Sequence, residues 1–207
     1  MELYPKRDQD SDAYACLEAG FQRIPSGALS DWRMAGSGGF RLTDADTLES
    51  EGGSGVLWYA REEFDDFVLK LEWRSFNADD NSGVFLRIPA LGNSDPANDW
   101  HPAASEGYEV QIDDRGFDPS THNVGSPLHQ TGAIYRLAGA SELASRRLGQ
   151  WNEFEIEARA SRITVKLNDR TVSTLENGNR RARGFIGLQN HHSGSRVQFR
   201  NIRLKRL

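Results

Sequence analysis

The segment Gly107–Asp114, GYEVQIDD, sets Glu109, Gln111 and Asp113 on one parity and Tyr108, Val110 and Ile112 on the other. Side chains alternate across a β-strand, so a strand here buries the second row and presents acid, amide, acid on its other face. Such a row can move protons and hold oxygens. Two neighbouring segments carry groups that would join it. In Asn81-Ser-Gly-Val-Phe-Leu-Arg87, Phe85 and Arg87 share a face, and the guanidinium fork suits a carboxylate or a substrate oxygen. In Phe185–His192, Phe185, Gly187, Gln189 and His191 share one face, while Ile186 and Leu188 mark the core side. A histidine can act as acid or base near neutral pH. Gly187 leaves room for a ligand close to the backbone. The plainer readings are an Arg87 paired with a surface acid and a merely exposed His191.

Two long loops flank this strand. Pro89–Glu106 carries Trp100 and His101, and Arg115–Thr131 carries His122 and His129. Loops of that length in a compact domain usually serve a function, and a rigid scaffold commonly displays functional residues on them. The rival role for Trp100 is to plug the edge of the core. No metal signature stands out: paired cysteines, HExxH and a calcium loop are all missing from the sequence. Asp113, Asp114 and Asp118, with His122 nearby, could take a hard divalent cation through oxygen. Closely spaced Asp residues are also ordinary turn formers, and that reading is preferred.

These residues need strands to hold them. Alternating segments are expected at Gly39–Leu42, Gly55–Tyr59, Phe64–Trp73, Ser82–Ile88, Gly107–Ile112, Ala133–Arg136, Asn152–Ala158, Arg162–Leu167, Arg170–Leu175, Gly184–Gln189 and Val197–Arg206. Many short strands with turn residues between them suggest a sandwich or barrel. Asn168-Asp169-Arg170 reads as a tight hairpin. Gly36-Ser-Gly-Gly39 and Gly52-Gly-Ser-Gly55 lack the ending of a phosphate loop and read as strand connections. Residues 1–19 form a polar arm with a weak helical stretch around Ala13–Ala19, and 20–207 a single domain.

Composition narrows the class. With 207 residues and a formal net charge of −5, the chain suits one all-β domain and lacks a basic nucleic-acid footprint. No apolar run approaches the ~20 residues of a membrane helix. Cys16 is the single cysteine, so no internal disulfide forms. The sequence as given shows no secretory leader, which reads as cytoplasmic.

Taken in order, Trp32, Phe67–Trp73, Asn81–Arg87, Gly107–Asp113, Thr131-Gly-Ala-Ile-Tyr135, Trp151-Asn152, Gly187–His191 and Val197–Ile202 resemble the 3-keto-disaccharide hydrolase domain family over residues 20 to 207. Each motif is weak alone; the order makes them specific. The resemblance implies a concanavalin-like jelly roll, all-β, of two antiparallel sheets with one concave polar face. It implies oxidised glycosides with a C3 ketone as substrates, and members of the family are commonly secreted or periplasmic. The chemistry fits independently. A C3 ketone acidifies the C2 hydrogen, so a base, an acid and a donor for the enolate oxygen suffice to expel the C1 oxygen. Glu109 and His191 are the favoured proton carriers, with Asp113 less secure. Arg87, Gln111, Gln189, Tyr135, Trp100 and His101 are the expected substrate contacts.

Two alternatives stay open. A retaining β-glucan hydrolase of jelly-roll type needs carboxylates ~5–5.5 Å apart. Glu109 and Asp113 are ~13 Å apart along a strand, with Gln111 where an acid would help. A carbohydrate-binding module would use Trp100, Tyr108 and Tyr135 as a platform, although Tyr108 has core parity.

Overall fold

The computed structural model describes residues 18–25, 29–92, 94–95 and 97–207. Of the arm's expected helix, Ala13–Leu17 lies outside them, as does Cys16. The strands are β1 (Gln22–Arg23), β2 (Trp32–Leu42), β3 (Leu48–Tyr59), β4 (Phe67–Ser75), β5 (Ser82–Ile88), β6 (Tyr108–Ile112), β7 (Asn152–Arg159), β8 (Arg162–Leu167), β9 (Arg170–Leu175), β10 (Phe185–Asn190) and β11 (Val197–Arg206). Among the described residues one short α-helix, α1 (His101–Glu106), interrupts the first long loop, and a 3-10 turn at Leu29–Asp31 precedes β2.

Hydrogen bonds run through the order β6-β5-β10-β3-β11-β4-β7-β8-β9, with β2 on β3 and β1 on β11, and every pairing is antiparallel. Val84, Leu86 and Val110 from one end of this path share a core cluster with Phe154, Ile163 and Val165 from the other. The sheet therefore curls over itself into a two-layered sandwich, the arrangement that buries one face of each half. The clean alternation of β4, buried at Phe67, Leu69, Leu71 and Trp73, is the sequence-level cause.

Three local features depart from the sequence expectations. The glycine tracts are strand interior, not connections. Gly36 pairs with Gly55 and Gly38 with Gly52, so β3 carries an extra residue there. A Cβ at Gly38 would strike the Gly53 carbonyl and the Asn190 side chain, so glycine permits this close bulge. Ala133–Arg136 forms no strand and is tied on by isolated bridges at Ile134. The β8–β9 hairpin turns on Asn168 and Asp169 alone, because Leu167 pairs with Arg170. Both turn residues have positive φ, 50° and 66°, which matches a type I′ turn and the tolerance of Asn and Asp for it.

Candidate functional site

On β6, Val110 and Ile112 enter the core between the layers, while Glu109 and Gln111 stand on the outer face. Register extends that face across the sheet. Glu109 lies opposite Phe85, and Gln111 opposite Gly83. Phe85 pairs with Gly187, and Gly187 with Trp58. Gln189 follows on the same parity of β10, two residues from Gly187, while Ile186 and Leu188 join the core.

The face is largely closed to solvent rather than an open displayed row. Glu109 is 5% exposed and Gln111 3%. The first long loop folds back onto it. Ala103 of α1 is buried against Val56, Trp58, Phe85 and Ile88, and Trp100 packs on the same cluster. His101 is exposed, its ring 4.4 Å from that of Trp100. The backbone N–H of Tyr135 donates to the Glu109 carbonyl at 2.9 Å.

Gly83 provides the space for the Glu109 carboxyl. A Cβ at Gly83 would meet Glu109 Oε1 at 2.5 Å, so the acid leans over the glycine. Beyond Gly83 it reaches the Gln189 amide. Burial pushes the Glu109 carboxyl up to about 8; Gln189 and the Arg180 guanidinium pull the other way without winning. The Oε1 of Gln189 is buried and accepts no hydrogen bond. Burial also raises the Tyr135 hydroxyl pKa, and the nearby Glu109 adds to it.

Gln111 donates to Asn81 Oδ1 at 3.3 Å, and Asn81 Nδ2 donates to Asp113 at 3.2 Å. Asp113 is fully buried and also accepts from the backbone N–H groups of Arg115 and Phe117. It anchors the turn after β6, which leaves little of it for proton transfer. Asp114 is held by Thr131 and Ser145, and Asp118 by Ser120. The three acids thus serve turns. Among the described residues no three His, Cys, Asp or Glu side chains converge as metal ligands would.

His191 follows β10 at the rim and is exposed to solvent. The crowding of protein around its ring lowers its pKa, His192 and Arg115 lower it further, and Asp113 opposes them. Its imidazole is therefore neutral at pH 7.

Arg87 does not join the site. Phe85 pairs with Gly187 and Ile88 with Phe185, so Leu86 and Arg87 together oppose Ile186. This bulge, with φ of 52° at Arg87, breaks the alternation. The guanidinium instead donates to the carbonyls of Asp65 and Ala160 and to Asp66. The cation that does act on Glu109 is Arg180, whose guanidinium also donates to the carbonyls of Ala104 and Gly107 at 2.7 Å each. It stands in the run Arg180-Arg181-Ala-Arg183, just before β10. Gly83, opposite Gln111 inside a strand, was the available signal for a close approach.

The model of the 3-keto-alpha-glucoside-1,2-lyase-like domain matches residues 21–205, and the chain belongs to that family. No curated protein matches it. A protein of Parabacteroides distasonis ATCC 8503, provisionally named a glycosyl hydrolase, is similar at a TM-score of 0.74 and 19% identity, over 91% of this chain and 94% of that one. A second protein of that organism, named in the same way, has a TM-score of 0.65 and 24% identity, over 85% and 99%. The carbohydrate-binding module CBM66 of Bacillus subtilis has a TM-score of 0.55 and 13% identity, over 84% and 95%. At these identities the likeness is one of fold. The jelly roll thus hosts proteins named for cleavage and for binding alike.

Proposed function

We propose that the chain cleaves glycosides oxidised to a ketone at C3, by elimination across C1 and C2. The observation that carries this reading is Glu109, a buried carboxyl that keeps its proton at neutral pH beside an unpartnered amide oxygen. Family membership supports the substrate class. Glu109 is then the acid and His191, unprotonated, the base. His191 takes the C2 proton, the C–H electron pair becomes the C1=C2 bond, and the C1–O bond breaks. The departing oxygen leaves with the Glu109 proton. Water adds across the double bond afterwards. Gln189 and Gln111 supply contacts to sugar oxygens, and Tyr135, Trp100 and His101 border the site. A retaining β-glucan mechanism has less support, because Asp113, the second acid of the row, is committed to Asn81 and two backbone amides.

The test is a product assay on a panel of 3-keto-glycosides and their unoxidised parents, with and without chelator. Cleavage of the keto-sugars alone is expected, since without the ketone the C2 hydrogen is not acidic. Cleavage of ordinary β-glucans would replace this reading with the retaining one. Binding without cleavage of either would make the domain a carbohydrate-binding module.

A further inference from the structure

On the half of the sheet away from Glu109, a pocket of about 380 Å³ opens on the outer face of β11, β4 and β7. It is lined by Glu72, Arg146, Trp151, Glu153, Asp169 and Arg200, with Asn152 and Asn168 completing the wall. The volume lies within the ~300–1,000 Å³ of small-molecule sites. We propose that this pocket is a second, non-catalytic site for a neutral saccharide, with Trp151 as its apolar wall, Asp169 as hydroxyl acceptor and Arg146 as hydroxyl donor.

Charge pairing carries the argument. Glu72 is held by Arg200 at 2.7 Å, and Glu153 by Arg203 at 2.8 Å. The lining charges without an oppositely charged partner, among the described residues, are the Asp169 carboxylate and the Arg146 guanidinium. The pocket therefore offers one strong acceptor and one strong donor with no net charge between them. That balance disfavours simple anions and cations. A polyol satisfies both groups, because each hydroxyl donates and accepts.

The walls are fixed before any ligand arrives. The Arg74 and Arg200 guanidiniums lie 4.4 and 4.0 Å from the Trp151 ring centre and hold the indole in place. Trp151 remains half-buried and lines the pocket beside Arg200. Asn168 donates to Ala144 O and to Asn152 Oδ1, both at 2.9 Å, and accepts from the Glu153 N–H at 3.0 Å. These bonds lock the turn that carries Asp169. Arg146 is pinned through its N–H to Asn152 Oδ1 and through Nη1 to the Trp151 carbonyl, both at 2.7 Å. Such preorganisation lowers the ordering cost of binding.

The experiment titrates isotope-labelled full chain with trehalose, sucrose, maltose and cellobiose, and separately with inorganic phosphate and glycine, while the Trp151 indole N–H signal is followed. At least one disaccharide should shift it saturably. Asp169→Gly, which suits the left-handed turn, and Arg146→Ala, at an exposed position, should each weaken that response by at least ~10-fold, the loss expected for a hydrogen bond to a charged group. Turnover of a 3-keto-glycoside should be unchanged in both variants. The proposal is overturned if no disaccharide moves the Trp151 signal, if phosphate or glycine alone does, or if both variants bind as the parent does.

Discussion

A carboxyl that holds its proton at neutral pH can give a proton but not take one, and Glu109 is such a group. In the proposed elimination its pKa near 8 sets an alkaline limb: turnover should fall as pH rises through about 8 and the acid is lost. On the acid side, the same proposal needs His191 unprotonated, so turnover should fall below its lowered pKa, under the usual value of 6.5. A profile without the alkaline limb would remove Glu109 from the acid role. Glu109→Gln should lose at least ~10²-fold in turnover, the low end of a general acid's contribution. The same group ties stability to pH. The native state binds the Glu109 proton more tightly than the unfolded chain, whose ordinary value is 4.5. The stabilisation is complete below that value and is lost as pH rises through about 8, at ~1.4 kcal/mol per pH unit at most. Glu109→Gln has no such loss, so its melting temperature should gain on the parent's between pH 5 and pH 9. A constant gap would contradict the burial of the charge. Gly83→Ala tests the geometry: the nearest atoms its Cβ meets belong to the Glu109 side chain rather than to backbone, so the fold should persist while turnover in the proposed reaction falls by ~10-fold or more, as displaced acids do.

At the scale of elements, β7 appears where the alternation puts it, because its inward row of Asn152, Phe154, Ile156 and Ala158 is unbroken and its register with β4 and β8 carries no shift. Parity likewise separates Glu109 and Gln111 from Val110 and Ile112. It fails at Arg87, where a bulge inserts one residue and moves the guanidinium to Asp65, Asp66 and Ala160. It is silent on Gly36–Gly39 and Gly52–Gly55, since glycine carries no pattern of burial. Nor does it reveal that the first long loop folds back onto the face of the acidic row, because contacts between distant segments leave no local period. Arg180 escapes for that reason: its role depends on α1, which starts about eighty residues earlier in the chain. Its two bonds to the carbonyls of Ala104 and Gly107 fasten the end of α1. Arg180→Met should therefore speed amide hydrogen exchange in 101–107. It should also raise the Glu109 pKa above about 8, since the lost cation had pulled it down, and move the alkaline limb upward. Faster exchange with an unmoved limb would leave Arg180 as a structural clip alone.

At the scale of the whole molecule, the last strand made is the one at the centre. β11 pairs with β3 on one side and β4 on the other, and also carries β1. It places Val197, Phe199, Ile202 and Leu204 in the core. Along the path of paired strands the half-sheet with Glu109 joins the half-sheet with Trp151 through it, since that path runs β10-β3-β11-β4. Non-local pairing of this kind delays cooperative structure until distant segments meet. A chain ending at residue 196 would expose the edges of β3 and β4 and lose those core side chains, each worth ~1.5–3 kcal/mol when buried. That sum, ~6–12 kcal/mol, is as large as the ~5–15 kcal/mol net stability of a whole domain. The truncated chain should show no cooperative thermal transition and no dispersed amide spectrum, even though the Glu109 strand, its partners and both long loops are intact. Adding the peptide Val197–Leu207 in excess should restore both signals, because the truncated chain keeps the sequences of β3 and β4 that pair with it and can fold onto it. A folded truncated chain would mean that the two halves are stable separately, and that β11 joins them without being needed by either.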